Sequence, residues 1–319
     1  MAHELTINTQ GNAEMAYVGD TPWHGLGQIL LPTASIEEWR VAAGMDWVIK
    51  RAHVQYTNGE LHSWKDNEVL YRSDTNCPLA IVSSRYKEVQ PKQVLEFFRD
   101  LVEKNGFSLE TAGTMKGGRR FWALARTGLD GEVVDGDNIK TYLLLVTSCD
   151  GGLATTAQFT SVRVVCNNTL QMSLSENFIT RVSVRHNTEF NPNSFKAELG
   201  LNATEVYTDF MDRMKGLANT SLSGSMAEEI IEELFMKKGV TAPIRTSKGF
   251  RTVLQLFNGV GKGSKIDGVA GTAWGLVNAV TEYSDWHIRA KNQEYRLDSA
   301  WFGAGRSLKE NILEIVTEY

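Results

Sequence analysis

The order of strand-like and helix-like segments constrains the fold of this chain more than any other feature of its sequence. β-prone segments occupy most of the stretch from residue 46 to residue 165, whereas the residues after 194 mainly carry the 3.6-residue apolar period of helices. Runs of strands followed by runs of helices are typical of α+β proteins. The sequence therefore predicts an α+β fold, in which a β-rich central core with a basic hairpin is packed by helices and followed by a mainly helical C-terminal third.

Turn and cap residues predict where the elements of this core begin and end. Ser35-Ile-Glu-Glu38 is a capping box, so a helix is expected to run to about Ala43. A second helix is predicted over 91–104, with proline in its first turn and Gly106 as its cap. Asn58-Gly59 indicates a hairpin turn. Strands are expected at 46–56, 67–72, 79–83, 107–115, 119–127, 139–148 and 153–165.

The rest of the chain is divided by the same signals. Asn167 or Asn168 is a candidate cap for a helix through Leu174. The organisation expected is an irregular leader over 1–30, an α+β core over 31–190 and a mainly helical region over 191–319. Within that last region, helices are predicted at 194–217, 225–238, 248–257, 269–284 and 306–317.

Composition excludes several classes of protein. The chain has 319 residues and three cysteines, Cys77, Cys149 and Cys166, which form neither a disulfide framework nor a CxxC zinc motif. It has no apolar run of about 18 residues, and its N-terminus lacks the apolar core of a secretory signal. A cytoplasmic protein with no membrane contact, no cofactor and no metal is therefore expected.

Charge is distributed unevenly. The net charge is −5, from 33 basic and 38 acidic residues, yet the stretch 237–265 contains no acidic residue. Such a local concentration favours an anionic partner, because local potential steers binding more than net charge does. The alternative is a solvated basic loop balanced by the acidic residues Glu228, Glu229, Glu232 and Glu233. The basic residues of the stretch are Lys237, Lys238, Arg245, Lys248, Arg251, Lys262 and Lys265.

Catalytic and metal motifs are weak. The segment 259–265 resembles a Walker loop but has Gly263 after its lysine, although its backbone N–H groups and lysines remain candidates to hold a phosphate. Asp130–Asp137 lacks an EF-hand glutamate. A hydrolase that uses Cys166 or the histidines is the least favoured function, because Cys166 follows an apolar run typical of a buried cysteine.

Basic residues interleaved with aromatic ones suggest a groove for single-stranded nucleic acid, in which cations neutralise phosphates and rings stack on bases. The tip of the hairpin over 107–127 is basic, and Arg181 and Arg185 are expected on one face of a strand. The alternative is that the aromatic residues belong to the core and the arginines are ordinary surface. The candidates are Lys116, Arg119, Arg120, Arg163, Arg181 and Arg185, helped by Lys262 and Lys265, with Tyr86 and Trp122 for stacking.

Five stretches together resemble the phage/plasmid-like protein family built on domain of unknown function 932. The resemblance runs from about residue 17 to residue 310, and Arg-Val-Val-Cys-Asn-Asn-Thr-Leu is its most specific part. It implies a protein of a bacterial mobile element that acts in the cytoplasm of the host cell. The stretches are Thr21–Gly27, Gly117–Trp122, Arg163–Leu170, Arg185–His186 and Gly271–Tyr283.

The order of elements from 91 to 176 is also similar to the core of phage single-strand annealing recombinases of the Red-beta, Erf and RecT class. That resemblance implies a non-enzymatic, ATP-independent protein that forms rings or filaments and holds single-stranded DNA for annealing during recombination. The alternative hypothesis is a mobile-element accessory protein that binds a host protein, for example to counter a defence system, without binding nucleic acid.

Overall fold

The structure is a computed structural model that describes residues 6–8, 10–19, 26–163, 168–171, 180–200, 202–236, 244–289, 299–300 and 303–319, the side chains of residues 104, 105, 163 and 168–171 excepted. It is an α+β protein whose helices lie mainly in the C-terminal third, as the sequence predicts. No helix among these residues is both long and apolar enough to cross a membrane.

Eleven strands occur within the described residues. They are β1 (Met15–Tyr17), β2 (Gln28–Ile29), β3 (Ile49–Asn58), β4 (Glu60–Arg72), β5 (Pro78–Ser83), β6 (Ser108–Met115), β7 (Arg120–Glu132), β8 (Asn138–Ser148), β9 (Thr155–Arg163), β10 (Asn168–Gln171) and β11 (Arg181–Val184). They form an eight-stranded sheet of order β10-β9-β8-β7-β6-β1-β2, to which β11 is added by pairing with β9, and a three-stranded sheet of order β3-β4-β5.

Eight α-helices occur within the same residues. They are α1 (Ile36–Ala42), α2 (Pro91–Asn105), α3 (Pro192–Leu199), α4 (Ala203–Asn219), α5 (Gly224–Phe235), α6 (Lys248–Gln255), α7 (Ala273–Glu282) and α8 (Ala304–Glu318). A π-helical turn follows both α6 and α7, at Leu256–Val260 and Tyr283–His287.

Local signals fix several of these boundaries as expected. Ser35 caps α1, and Glu38 completes the capping box. Helix α2 ends at Gly106, whose φ of 73° is left-handed. Gly59 has a φ of 77° and turns β3 into β4. Both of these glycines occupy backbone conformations that side chains disfavour.

Chain contacts divide the molecule into two compact units. The first contains residues 1–128, 143–158 and 181–201, and the second contains 129–142, 159–180 and 202–319. These units are discontinuous in sequence, whereas the regions expected from the sequence are consecutive. The reason is that β7, β8 and β9 each contribute residues to both units.

Three sequence expectations are corrected. The leader is not irregular throughout, because β1 pairs with β6 and Ala16 is fully buried. Residues 168–171 form a strand paired with β9 where a helix was expected, and residues 172–179 lie outside the described residues. The helix expected over 194–217 is interrupted after α3, where Gly200 caps the helix with a φ of 71°.

The interior of the second unit is built around α7, every residue of which is buried. Its N-cap is Thr272, whose hydroxyl accepts a hydrogen bond from the Gly275 N–H at 3.0 Å, and this explains why the helix begins later than residue 269. After α7, the buried carboxylate of Asp285 binds Lys309 of α8 at 2.9 Å. This pair joins the last helix to the helical core.

Candidate functional site

A surface groove of about 860 Å³ lies within the first unit. Its walls come from three segments: the end of β5 and the residues after it (Ser83, Arg85 and Tyr86), Gly151–Ala154 between β8 and β9, and Arg185–Asn187 after β11. We call it the arginine groove, because Arg85 and Arg185 both line it.

Two Arg-aromatic dipeptides meet in this groove. Arg85 precedes Tyr86, and Arg185 precedes His186. The Tyr86 and His186 rings stack with centroids 4.8 Å apart and an interplanar angle of 18°. Both arginines are exposed, and neither forms an ion pair with any residue that the structure describes. The groove therefore carries two solvated cations beside a fixed pair of rings.

Backbone carbonyls hold the ring pair in place. The Tyr86 hydroxyl donates to the Ser148 carbonyl oxygen at 2.9 Å. The ring nitrogens of His186 lie 2.9 Å from the Lys87 carbonyl oxygen and 3.0 Å from that of Leu153. The Lys87 N–H in turn donates to the His186 carbonyl at 2.6 Å. Burial raises the pKa of Tyr86 well above its ordinary value, so its phenol stays neutral.

The turn between β8 and β9 is fixed by its own polar groups. The Gly152 N–H donates to Asp150 Oδ1 at 2.9 Å. The Ser148 hydroxyl accepts from the Leu153 N–H at 2.9 Å and donates to the Leu153 carbonyl at 3.0 Å. Gly151 has a φ of 73°, which the turn requires and side chains disfavour. This wall of the groove is therefore ordered before any ligand arrives.

Arg51, which lies near the groove, differs from Arg85 and Arg185 because carboxylates neutralise its charge. Arg51 binds the carboxylates of Glu68 and Glu88. Although burial opposes the charge on Glu88, the hydrogen bonds from Arg51 hold the pKa of its carboxyl below the usual range. The charge of Arg51 is thus neutralised locally, in contrast to the charges of Arg85 and Arg185.

The basic hairpin is formed as expected, but two of its candidate residues are buried. Arg120 is 8% exposed and Trp122 is 3% exposed, because β7 is an interior strand of the sheet. Neither side chain is therefore open to a nucleic acid, which corrects the sequence prediction. Lys116 is half-buried at the turn, and Arg119 is exposed, with its carbonyl accepting from the Cys149 N–H at 2.9 Å.

Lys262 and Lys265 are exposed, but they belong to the second unit. Their loop was expected to offer backbone N–H groups to a phosphate. Instead, the Gly261 N–H donates to the Leu256 carbonyl, that of Lys262 to the Glu282 carboxylate, and that of Lys265 to the Lys262 carbonyl. These three N–H groups are used internally and are not available to an anion.

The basic stretch 237–265 is partly neutralised. Arg245 binds Glu228 at 2.7 Å and Glu232 at 2.8 Å, so the acidic patch pairs with it as the alternative interpretation expected. Arg181 is exposed on β11, opposite Gln158. Several sequence candidates lie outside the described residues, namely residues 21–25, the side chain of Arg163, Cys166, and Lys237 with Lys238.

The described cysteines and acidic residues give little support for catalysis. Burial raises the pKa of Cys149 to about 12, so its thiol is protonated and inert. Cys77 is exposed. Within the part of the chain that the structure describes, no group of His, Cys, Asp and Glu side chains is arranged to hold a metal ion.

Comparison with known families gives one match. The family described as Domain of unknown function (DUF932) matches residues 78–301, which is more than half of the chain. The chain belongs to this family. The match covers every residue that lines the arginine groove. Searches of the curated proteins and of the solved structures found no match.

The family membership confirms the resemblance based on domain of unknown function 932, and the association with phages and annealing recombinases stays a prediction. Sequence reasoning placed Tyr86 and Arg185 among the site residues but left out Arg85 and His186. The signal that could have identified them is the repeated Arg-aromatic dipeptide, which occurs after two different strands of this DUF932 protein.

Proposed function

We propose that the chain binds single-stranded DNA in the arginine groove and serves a bacteriophage or plasmid as an ATP-independent annealing protein. The observation that carries the proposal is the pair Arg85 and Arg185. Both guanidinium groups line one groove, both are exposed, and neither is paired with a carboxylate among the described residues. Uncompensated cations on a fixed concave surface favour a phosphate backbone.

The chemistry of the groove suits a phosphodiester. A guanidinium presents a planar fork of N–H donors that matches two phosphate oxygens. Because the Tyr86 and His186 rings are anchored by carbonyls, the residues beside the two arginines lose little conformational entropy on binding. Arg119 and Arg181 are exposed in the same unit and would extend the cationic surface.

The stacking role is reassigned accordingly. Trp122 is buried, so Tyr86 is the candidate that remains from the sequence. Its ring is half-buried and stacked on His186, and the residue lines the groove. Oligomerisation into a ring or filament would repeat the groove along one strand, and Lys262 and Lys265 would supply further phosphate contacts.

The test is a double substitution, Arg85→Ala with Arg185→Ala. We expect the affinity for an oligothymidylate at low salt to fall by about tenfold or more, because two charge-assisted contacts are lost. The slope of log affinity against log salt should decrease by up to about 1.4, since each phosphate contact on a single strand contributes about 0.7. Fluorescence anisotropy of a labelled oligonucleotide measures both quantities.

The matched control removes the same charge elsewhere in the first unit, with Lys50→Ala and Lys92→Ala. Both lysines are exposed, on β3 and α2 respectively, and neither lines the groove. The control should keep most of the affinity. Equal losses in the two double variants would show that net charge, not the groove, binds DNA, and would contradict the assignment.

A second candidate function, binding of a host protein, is favoured by a different observation. The hairpin of β3 and β4 exposes 53% of Tyr56, 67% of Leu61 and 53% of Trp64. Large exposed apolar side chains grouped together mark protein interaction surfaces. If oligonucleotides do not bind at low salt, the next experiment compares the host proteins captured by the wild type with those captured by a Tyr56→Ser, Trp64→Ser variant.

A further inference from the structure

We propose that the arginine groove binds a phosphodiester beside a positively charged His186, and that binding therefore tightens as the pH falls. The inference rests on the proposed function, because it names the chemistry of the same groove. It adds His186 to the site as a side chain whose ring can carry a positive charge. Its charge would join those of Arg85 and Arg185.

The hydrogen bonds of the His186 ring carry the argument. Nδ1 lies 2.9 Å from the Lys87 carbonyl oxygen, and Nε2 lies 3.0 Å from the Leu153 carbonyl oxygen. A carbonyl oxygen only accepts hydrogen bonds. Neutral imidazole has one N–H, so it satisfies one carbonyl and turns a lone pair towards the other. The imidazolium has two N–H groups and satisfies both.

Rotation of the neutral ring does not remove the contact between its lone pair and a carbonyl oxygen without a further loss. Half a turn would place C–H groups against both carbonyls and lose both hydrogen bonds. The two carbonyls belong to separate segments, that of Lys87 following β5 and that of Leu153 in the turn between β8 and β9. The charged ring therefore also holds together two walls of the groove.

The other charges around His186 decide how strongly its proton is linked to a ligand. Arg85 and Arg185 line the same groove and oppose a third positive charge. Lys87 is paired with Glu189 at 3.8 Å, and Glu88 is bound to Arg51. Asp150 lies at the adjacent turn, where its Oδ1 accepts from the Gly152 N–H at 2.9 Å. The neighbouring phenol of Tyr86 and thiol of Cys149 stay neutral, since burial raises the pKa of each.

The sign of the linkage follows. A bound phosphodiester brings a negative charge between the arginines and the imidazolium, so it stabilises the protonated ring. By reciprocity, protonation of the ring strengthens phosphodiester binding. Affinity should rise as the pH is lowered and should level off once the ring is fully charged.

The experiment measures affinity for oligothymidylate between pH 5.5 and pH 8 in the wild type and in His186→Gln. Neither the phosphodiester nor thymine titrates in this range, so the pH dependence belongs to the protein. We expect the wild type to bind about fivefold more tightly at the lower pH, the effect of one added charge several ångströms from the phosphate. The variant should lose this dependence. His62→Gln, which replaces a histidine on the exposed hairpin, should keep it.

A second measurement reads the ring directly and does not depend on DNA. Nitrogen NMR of the imidazole should show two protonated ring nitrogens in the folded wild type at the pH where binding is tightest. A single protonated nitrogen there would overturn the proposal, as would identical pH profiles in the wild type and His186→Gln.

Further arms separate this inference from the function on which it rests. An oligothymidylate with neutral methylphosphonate linkages should bind weakly and without pH dependence; equal binding would contradict phosphate recognition. If only thymidine 5′-phosphate binds, with a pH response that His186→Gln reduces, the groove takes a phosphate and the DNA function fails. If neither ligand binds at any pH, both proposals fail. If DNA binds through the arginines but His186→Gln leaves its pH profile unchanged, only the present inference fails.

Discussion

Adjacent arginines at the β6–β7 turn have opposite environments. Arg119 is exposed, whereas Arg120 is buried, with only 8% of its surface accessible. The Arg120 Nη2 atom packs against Gly152, 3.4 Å from the position that a Cβ would occupy there. The sequence shows both as basic residues at a hairpin tip. Their different burial depends on the register of β7 and on its place inside the sheet, which long-range pairing decides. For this reason the sequence predicts the hairpin itself better than it predicts which of its side chains are exposed.

Trp122 gives the residue-scale prediction. Its side chain is 3% exposed on an interior strand, so Trp122→Ala should lower the free energy of unfolding by about 3–5 kcal/mol. Arg119→Ala, at an exposed position of the same hairpin, should change it by no more than about 0.5 kcal/mol. Urea unfolding followed by fluorescence measures both. Near-equal effects of the two substitutions would show that Trp122 is not part of the core.

At the scale of elements, local signals were reliable where one side chain or one glycine decides the backbone. The Ser35 capping box, the Asn58-Gly59 turn and the Gly106 cap all occur as predicted. The elements that were missed depend on distant partners. Strand β1 has three residues and exists through its pairing with β6, and β10 exists through its pairing with β9. Such short strands carry little periodicity of their own.

Two glycines test this account of helix ends. Gly106 caps α2 with a φ of 73°, so Gly106→Ala should destabilise the protein by about 1 kcal/mol. Gly216 lies inside α4 with open space around the position of a Cβ, and its φ is not left-handed. Gly216→Ala should therefore stabilise the protein by about 0.5–1 kcal/mol. Thermal unfolding compares the two, and the same sign for both would contradict the assigned backbone roles.

At the scale of the whole molecule, charge is better understood locally than as a total. The net charge is −5, yet acidic residues form ion pairs with particular cations, as Glu228 and Glu232 do with Arg245. These pairs lower the local positive charge of the basic stretch 237–265. In the arginine groove, by contrast, the charges of Arg85 and Arg185 are not neutralised by a carboxylate among the described residues. The sequence predicted that a local cationic surface would matter, but its position required the contact of segments about 100 residues apart.

The most direct test of the central claim is the binding of the wild-type protein to labelled single- and double-stranded oligonucleotides across a salt series, with the mass of the complexes measured in parallel. The account predicts tighter binding to the single strand, affinity that falls steeply with salt, and complexes that contain several copies of the chain on one strand. Absence of binding at low salt, or an affinity that does not change with salt, would contradict it.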